Sequence, residues 1–166
     1  MKPKFKCCDV ESVCGRNLWQ GVVFVAIATL IISSIVLLTS VAVVVAMAVS
    51  EHHYNTQPVT AMNLVFALVS TALSCYQIVI SLLLLWQVYR IKSQAYLCSL
   101  WYVSHLSILT LYCLLFSSKV VVCFKVKYYS TAVVTLVLGI IYQASFTYFA
   151  IVVNSYLHSL DEDRHF

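Results

Sequence analysis

The feature that most constrains this chain is a long uncharged run near its start, residues 17–50. The run contains no Asp, Glu, Lys, Arg, His or Pro, and its single glycine is Gly21. A helix of about 20 apolar residues is enough to cross the hydrocarbon core of a bilayer. The run is therefore long enough to span it with tilt. We expect this segment to be a membrane-spanning helix that is retained as a signal anchor.

Three further runs with few charges follow, and the composition as a whole is typical of membrane proteins. Hydrophobic residues make up 62% of the 166 residues and charged residues 10%, whereas soluble domains are about 25% charged. We predict an all-α fold, an integral membrane four-helix bundle with both termini cytoplasmic and short loops. In residue numbers, the predicted order is a leader (1–17), helix 1 (18–50), an outer loop (51–58), helix 2 (59–89), a cytoplasmic loop (90–94), helix 3 (95–116), an outer loop (117–128), helix 4 (129–153) and a cytoplasmic tail (154–166).

The orientation is predicted from the basic residues, which favour the cytoplasmic side of a membrane. With both termini inside, the cytoplasmic segments hold seven of the ten Lys and Arg residues, and the outer side holds Lys119, Lys125 and Lys127. The apolar patch 120–124 between these lysines is too short to span, so we expect an interfacial strand-like or hairpin segment there. Leu160 is an alternative end for helix 4.

Ionisable side chains are almost absent from the predicted spans. All six carboxylates lie outside them, and enzymes or ion-coupled transporters in membranes depend on such groups at depth. We therefore expect no enzyme activity, no cofactor and no metal site. The exception at depth is His105, for which we favour a neutral imidazole hydrogen-bonded to a neighbouring helix over a proton relay. Glu51, His52 and His53 in the first outer loop are the one place to look for lipid-directed catalysis, although a solvated loop is favoured there.

Weakly polar residues recur along helix 2 at a spacing close to that of one helical face. They are Ser70, Ser74, Gln77 and Ser81, and small or polar residues at this spacing let helices approach and hydrogen-bond in lipid. We favour packing within the bundle over a pore lining or a partner groove. Other positions of this kind are Ala42, Ala46 and Ser50 in helix 1, and Gly139, Tyr142, Gln143, Ser145 and Thr147 in helix 4.

Three of the seven cysteines, Cys7, Cys8 and Cys14, lie in the basic leader just before helix 1. Juxtamembrane cysteines beside lysines are typical sites of S-palmitoylation, and unmodified cytosolic thiols are the alternative. A zinc site is not favoured, because the cluster has no CxxC spacing and no nearby His. A disulfide between Cys113 and Cys123 near the outer interface is left open.

Both ends of the chain carry a resemblance to a known group of membrane proteins. Residues 6–23, KCCDVESVCGRNLWQGVV, and residues 148–160, YFAIVVNSYLHSL, resemble the insect small-loop tetraspan proteins related to the lysosome-associated protein transmembrane family. Those proteins open with a Cys-rich cytoplasmic leader and a Gly-containing first helix. Two features differ: Gly15-Arg16 stands where Arg-Thr-Gly is common, and the proline-tyrosine sorting motifs of lysosomal members are missing. The resemblance implies septate-junction or epithelial-barrier proteins of the plasma membrane, with the endosomal or lysosomal membrane as the alternative.

These observations together predict a non-enzymatic multi-pass membrane protein that organises or traffics partner membrane proteins, in epithelial junction assembly or endolysosomal sorting. The expected partners are the lipid bilayer and other membrane proteins held by lateral helix contacts, with homo-oligomerisation as an option. Nucleic acid is not expected, because the net charge of +4 is small and scattered. The alternative is a small channel or transporter subunit that uses polar residues of helices 2–4, namely His105 with Ser74, Gln77 and Gln143.

Overall fold

A computed structural model describes residues 18–49, 58–90 and 95–162 of the chain. Within these ranges every regular element is an α-helix, and all four helices are long and apolar enough to cross a membrane. The predicted all-α, four-helix membrane fold is confirmed. The helices are α1 (Leu18–Val49), α2 (Pro58–Arg90), α3 (Ala95–Lys125) and α4 (Tyr129–Glu162).

The sequence favours these long helices because breakers are rare within them. Pro58 stands at the first position of α2, where the missing N–H costs nothing, and no other proline occurs in the described ranges. The helices contain 31 to 34 residues, or about 47 to 51 Å at 1.5 Å per residue. Each is longer than a hydrocarbon core of about 30 Å, so its ends reach the headgroup layers.

Successive helices are neighbours, and α4 packs back against α1 to close the ring. Cross-helix hydrogen bonds show that neighbours run antiparallel: Gln77 of α2 meets His105 of α3, while Ser81, one turn later in α2, meets Trp101, one turn earlier in α3. This is an up-down-up-down bundle. We call the end with the start of α1 and the end of α4 the terminal end, and the opposite one the far end.

The core is concentrated towards the terminal end. Val22, Val25 and Ala26 of α1 are buried against residues such as Leu84 of α2 and Val153 of α4. Further along α1, beyond Ser40, no residue is buried. The bundle is therefore tightly packed in its terminal half and more open in its far half.

Helix α3 corrects one prediction, because it continues to Lys125 instead of ending at Phe116. The expected outer loop 117–128 and the strand-like patch 120–124 are wrong. Lys119 is accommodated in the helix because its ammonium lies 4.9 Å from the centre of the Phe66 ring in α2, a cation–π contact. Helix α4 also extends beyond the predicted end at residue 153 and the alternative at Leu160, to Glu162.

The same helix excludes a disulfide between Cys113 and Cys123. Both cysteines are free, Cys113 exposed and Cys123 buried. Ten residues of α-helix separate them by about 15 Å, while the Cα atoms of a disulfide lie within about 7 Å of each other.

The connection between α3 and α4 is a three-residue turn, Val126, Lys127 and Tyr128. The N–H of Tyr128 donates to the carbonyl of Cys123 at 2.9 Å, and the N–H of Lys127 donates to the carbonyl of Phe124 at 3.1 Å. These two bonds define a Schellman motif, whose penultimate residue is usually a left-handed glycine. Here that residue is Lys127, with φ of 65°.

We predict that Lys127→Gly stabilises the protein. Glycine adopts the left-handed conformation without the Cβ penalty, so the free energy of unfolding in detergent should rise by roughly 0.5–1 kcal/mol. The matched control is Lys125→Gly at the last residue of α3, where the backbone is helical and glycine should lower the free energy of unfolding by at most about 1 kcal/mol. Equal destabilisation by both changes would contradict the turn geometry.

Candidate functional site

The polar face predicted on helix 2 points into the bundle. Ser70, Ser74, Gln77 and Ser81 follow one another at intervals of four, three and four residues, and each is at most 3% exposed. Ser70 and Ser74 lie beside the hydroxyl of Tyr112 in α3. Gln77 and Ser81 belong to a continuous hydrogen-bonded layer that crosses the bundle.

Ser81 is the centre of this layer. Gln77 Nε2 donates to Ser81 Oγ at 3.2 Å, and Trp101 Nε1 of α3 donates to the same oxygen at 3.4 Å. Two donors occupy the lone pairs of the hydroxyl. Its own proton is therefore directed to Thr29 Oγ1 of α1, 3.0 Å away, and the Thr29 hydroxyl donates to the carbonyl of Val25 at 2.8 Å.

His105 continues the layer to the last helix. Its Nδ1 lies 3.4 Å from Gln77 Oε1, and its Nε2 lies 3.1 Å from the main-chain carbonyl oxygen of Phe146 in α4. A neutral imidazole protonated at Nε2 donates to Phe146, and its Nδ1 accepts from Gln77 when the Gln77 amide is turned by 180°. In that orientation Gln77 Oε1 faces Ser81, so the Ser81 hydroxyl donates to Oε1 and its oxygen accepts from Trp101 and Thr29 instead. The layer thus holds a neutral histidine with both ring nitrogens bonded.

Aromatic rings seal His105 from both sides. The imidazole stacks on Trp101 with ring centres 4.3 Å apart and on Phe146 with centres 5.4 Å apart, and its side chain is fully buried. Thr29 lies about 16 Å along α1 from Leu18. When a helix of this length is centred on the bilayer, the position of Thr29 is inside the hydrocarbon core. The middle of the bundle is therefore a closed polar layer at membrane depth.

Further hydrogen bonds join neighbouring helices outside the layer. Tyr76 and Ser104 connect α2 to α3 with 2.9 Å between their hydroxyl oxygens. Gln143 Nε2 donates to the carbonyl of Leu109 at 2.9 Å and ties α4 to α3. Gln143 is thus placed at the α3–α4 interface, apart from the layer around Ser81.

Five exposed hydroxyl groups in the spans are satisfied within their own helices. Each donates to the carbonyl four residues earlier, at 2.8 to 3.0 Å, which removes the cost of an unpaired donor in hydrocarbon. The bundle therefore presents these positions to lipid as apolar surface. They are Ser34, Thr39, Ser107, Thr110 and Ser145.

Sequence reasoning missed the polar face of α1. Thr29, Ser33 and Ser40 are buried, whereas Ala42 and Ala46, the predicted packing positions, are exposed. The intervals of four and seven residues between the three buried positions are as helical as those in α2. The periodicity was present, but it did not tell which of two faces meets the bundle.

Some predicted positions lie outside the described residues: Cys7, Cys8 and Cys14 in the leader, and Ser50, Glu51, His52 and His53 before α2. Within the described ranges, no group of three or more His, Cys, Asp or Glu side chains is arranged to hold a metal ion.

Comparisons with protein-family models, with curated proteins and with solved structures find no match to this chain.

We predict a measurable coupling between Gln77 and His105. In a double-mutant cycle of Gln77→Leu and His105→Leu, the interaction free energy should be about 0.6 kcal/mol, with an upper bound near 1.7 kcal/mol, because each single variant leaves the other side chain unpaired. Equilibrium unfolding in mixed detergent micelles measures it.

A second cycle controls for general destabilisation. Trp19 Nε1 donates to the carbonyl of Val88 at 3.3 Å near the terminal end, outside the layer. Gln77→Leu and Trp19→Phe should therefore be additive within about 0.5 kcal/mol. The same coupling in both cycles would contradict a specific Gln77–His105 bond.

Proposed function

We propose that this chain is a non-enzymatic membrane protein that organises or traffics partner membrane proteins through lateral helix contacts. Four candidate spans make it a multi-pass membrane protein. One observation supports the finer proposal: the polar side chains around Ser81 and His105 are hydrogen-bonded inside the bundle. What remains on the outside is mainly apolar helix surface, which is suited to contacts with lipid and with other helices.

The best candidate for a partner contact is a seam on the outside of α1. Ile35, Leu38, Ala42, Val45 and Val49 are exposed and follow one another at intervals of three and four residues. This is the a/d spacing of a left-handed helix pair. The four large side chains are 55% to 82% exposed, and Ala42 in the middle lets a second backbone come close.

The seam fits one kind of occupant, a membrane-spanning helix of a partner protein. It extends over about 21 Å of α1, long enough for a transmembrane helix to contact through several turns. It also contains no charged side chain, so the partner contact would be apolar and made within the membrane.

The channel or transporter alternative relies on residues that are enclosed. His105 and Gln77 bond to each other and to neighbouring helices, and Trp101 and Phe146 cover the imidazole. A water path through this layer would have to break those bonds and move both rings. The geometry therefore favours the organiser over the conduction pathway.

For location, we favour the plasma membrane, with epithelial junctions as the setting, and keep the endosomal or lysosomal membrane as the alternative. This proposal is supported by the resemblance of the chain ends to small-loop tetraspan proteins and by the lack of proline-tyrosine motifs. Cys14 precedes the first residue of α1 by four positions, so an acyl chain on the leader would enter the membrane next to α1.

The test of the organiser is affinity purification of the full chain in mild detergent, with mass spectrometry of the membrane proteins recovered. We predict a small reproducible set, strongly depleted by Ala42→Leu because the larger side chain blocks close approach at the seam. Ala61→Leu is the matched control, since Ala61 is exposed on α2, and it should recover the same set.

Four results would count against this proposal. If Ala42→Leu recovers an unchanged set of proteins, the seam is not the partner contact. If Ala61→Leu depletes the set equally, the loss reflects a general defect in folding or expression. A second, differently tagged copy of the chain as the main product would make the seam a homo-oligomer contact. An empty list would favour the channel alternative, with ion flux through wild type and His105→Ala as the next measurement.

We also predict that the leader is acylated. Replacing Cys7, Cys8 and Cys14 together with Ser should abolish metabolic labelling by a palmitate analogue, because the acceptor thiols are lost, and should shift the protein between membranes. The control is Cys75→Ser, an exposed cysteine within α2. Unchanged labelling and distribution of the triple variant would refute the proposal.

A further inference from the structure

A groove of about 710 Å³ runs along the outside of the α3–α4 pair. Its walls are apolar side chains of both helices, including Val121 of α3 and Leu136, Ile140 and Ile151 of α4. These walls belong to helices that face the membrane. The groove is therefore filled by lipid or by another apolar partner when the protein lies in a bilayer.

Gly139 of α4 and Phe116 of α3 both line the groove. A Cβ atom at Gly139 would lie 3.1 Å from the ring of Phe116, a contact tighter than ordinary van der Waals packing. The missing side chain lets the ring lie directly against the α4 backbone. Ala144 also lines the groove and is exposed, and its side chain is a single methyl group.

The two walls of the groove differ in length, and the thickness of one leaflet lies between them. Its lining runs from Cys113 to Val121 on α3 and from Leu136 to Ile151 on α4, or about 12 Å and 22 Å along the two helices. Half of a hydrocarbon core is about 15 Å. An acyl chain extends through about one leaflet, so it fits along this groove.

A cation stands where the headgroup of such a lipid would be. Cys113, Ser117 and Val121 line the groove at intervals of four residues, and the next residue in this row is Lys125. The Lys125 side chain is exposed, and so is that of Lys127 in the following turn. Within the described ranges, no carboxylate lies at this far end, so nothing there competes for the lysine charge.

We infer that the α3–α4 groove binds one anionic phospholipid, with an acyl chain between the helices and the phosphate at Lys125. Lysine is a common phosphate ligand as a point charge. The site is separate from the α1 seam and does not depend on the proposed function.

The experiment is native mass spectrometry of the full chain extracted from vesicles of equal parts phosphatidylcholine and phosphatidylglycerol. The expected result is one phosphatidylglycerol retained per chain, in excess over phosphatidylcholine. Ala144→Phe and Thr147→Phe each place a ring in the groove from an exposed position and should abolish retention. The matched control Ala72→Phe, on an exposed position of α2, should not.

The headgroup contact is tested by a pair of lysine variants on one helix. Lys125→Gln should lower the preference for phosphatidylglycerol about fivefold. Lys119→Gln removes the same charge, but Lys119 faces the Phe66 ring of α2, so the preference should be retained. Circular dichroism and gel filtration of each variant confirm the fold before the comparison.

Four results would overturn the inference. If phosphatidylglycerol is still retained by both Phe variants, the lipid binds outside the groove. If phosphatidylcholine and phosphatidylglycerol are retained equally, the site does not select an anionic headgroup. If Lys119→Gln and Lys125→Gln have equal effects, the preference for phosphatidylglycerol comes from the net charge of the protein and not from a contact with Lys125. A photo-crosslinker at position 144 that captures a protein in cells would make the groove a protein contact.

Discussion

The hydrogen bonds around Ser81 are the interaction on which the rest of this bundle depends. In a bilayer, lipid tails are as apolar as leucine, so burying apolar side chains gives little preference for one helix arrangement over another. Directional bonds supply that preference. Thr29, Ser81, Gln77 and His105 connect α1, α2 and α3, and the Phe146 carbonyl adds α4. Rotating any helix by one residue, about 100°, would break a link of this layer, which therefore sets the register of all four helices.

Placing the polar groups inside has a consequence for the outer surface. The terminal half of the described bundle is closed by the buried core. The α1 seam lies in the far half, and the α3–α4 groove starts there and reaches Ile151, past the middle of α4. Because α1 and α3 are diagonal in the ring, the seam and the groove are on different sides. A partner helix on α1 and a lipid between α3 and α4 can be held in the same leaflet without competing.

The sequence predicted those features that depend on local pattern. Uncharged runs gave four helices, and the repeated interval in helix 2 placed Gln77 and Ser81 on one face. It failed where a distant contact decides the outcome. The charge of Lys119 argued for a loop, yet the Phe66 ring of another helix accommodates it, and α3 continues. The turn that ends α3 uses Lys127 where pattern rules expect glycine. On α1, two faces carried small residues, and the position of α2 decided between Thr29 and Ala42.

The start of α1 is held against the end of α2 by the side chain of Trp19. The Trp19 indole donates to the Val88 carbonyl, and its ring meets Tyr89 edge-on with centres 6.1 Å apart. These contacts fix the beginning of α1 against the end of α2, a few residues after Cys14 in the sequence. An acyl chain on the leader would thus act on the tightly packed terminal half. Because the α1 seam lies beyond the Ser81 layer, acylation of the leader would leave the seam in place.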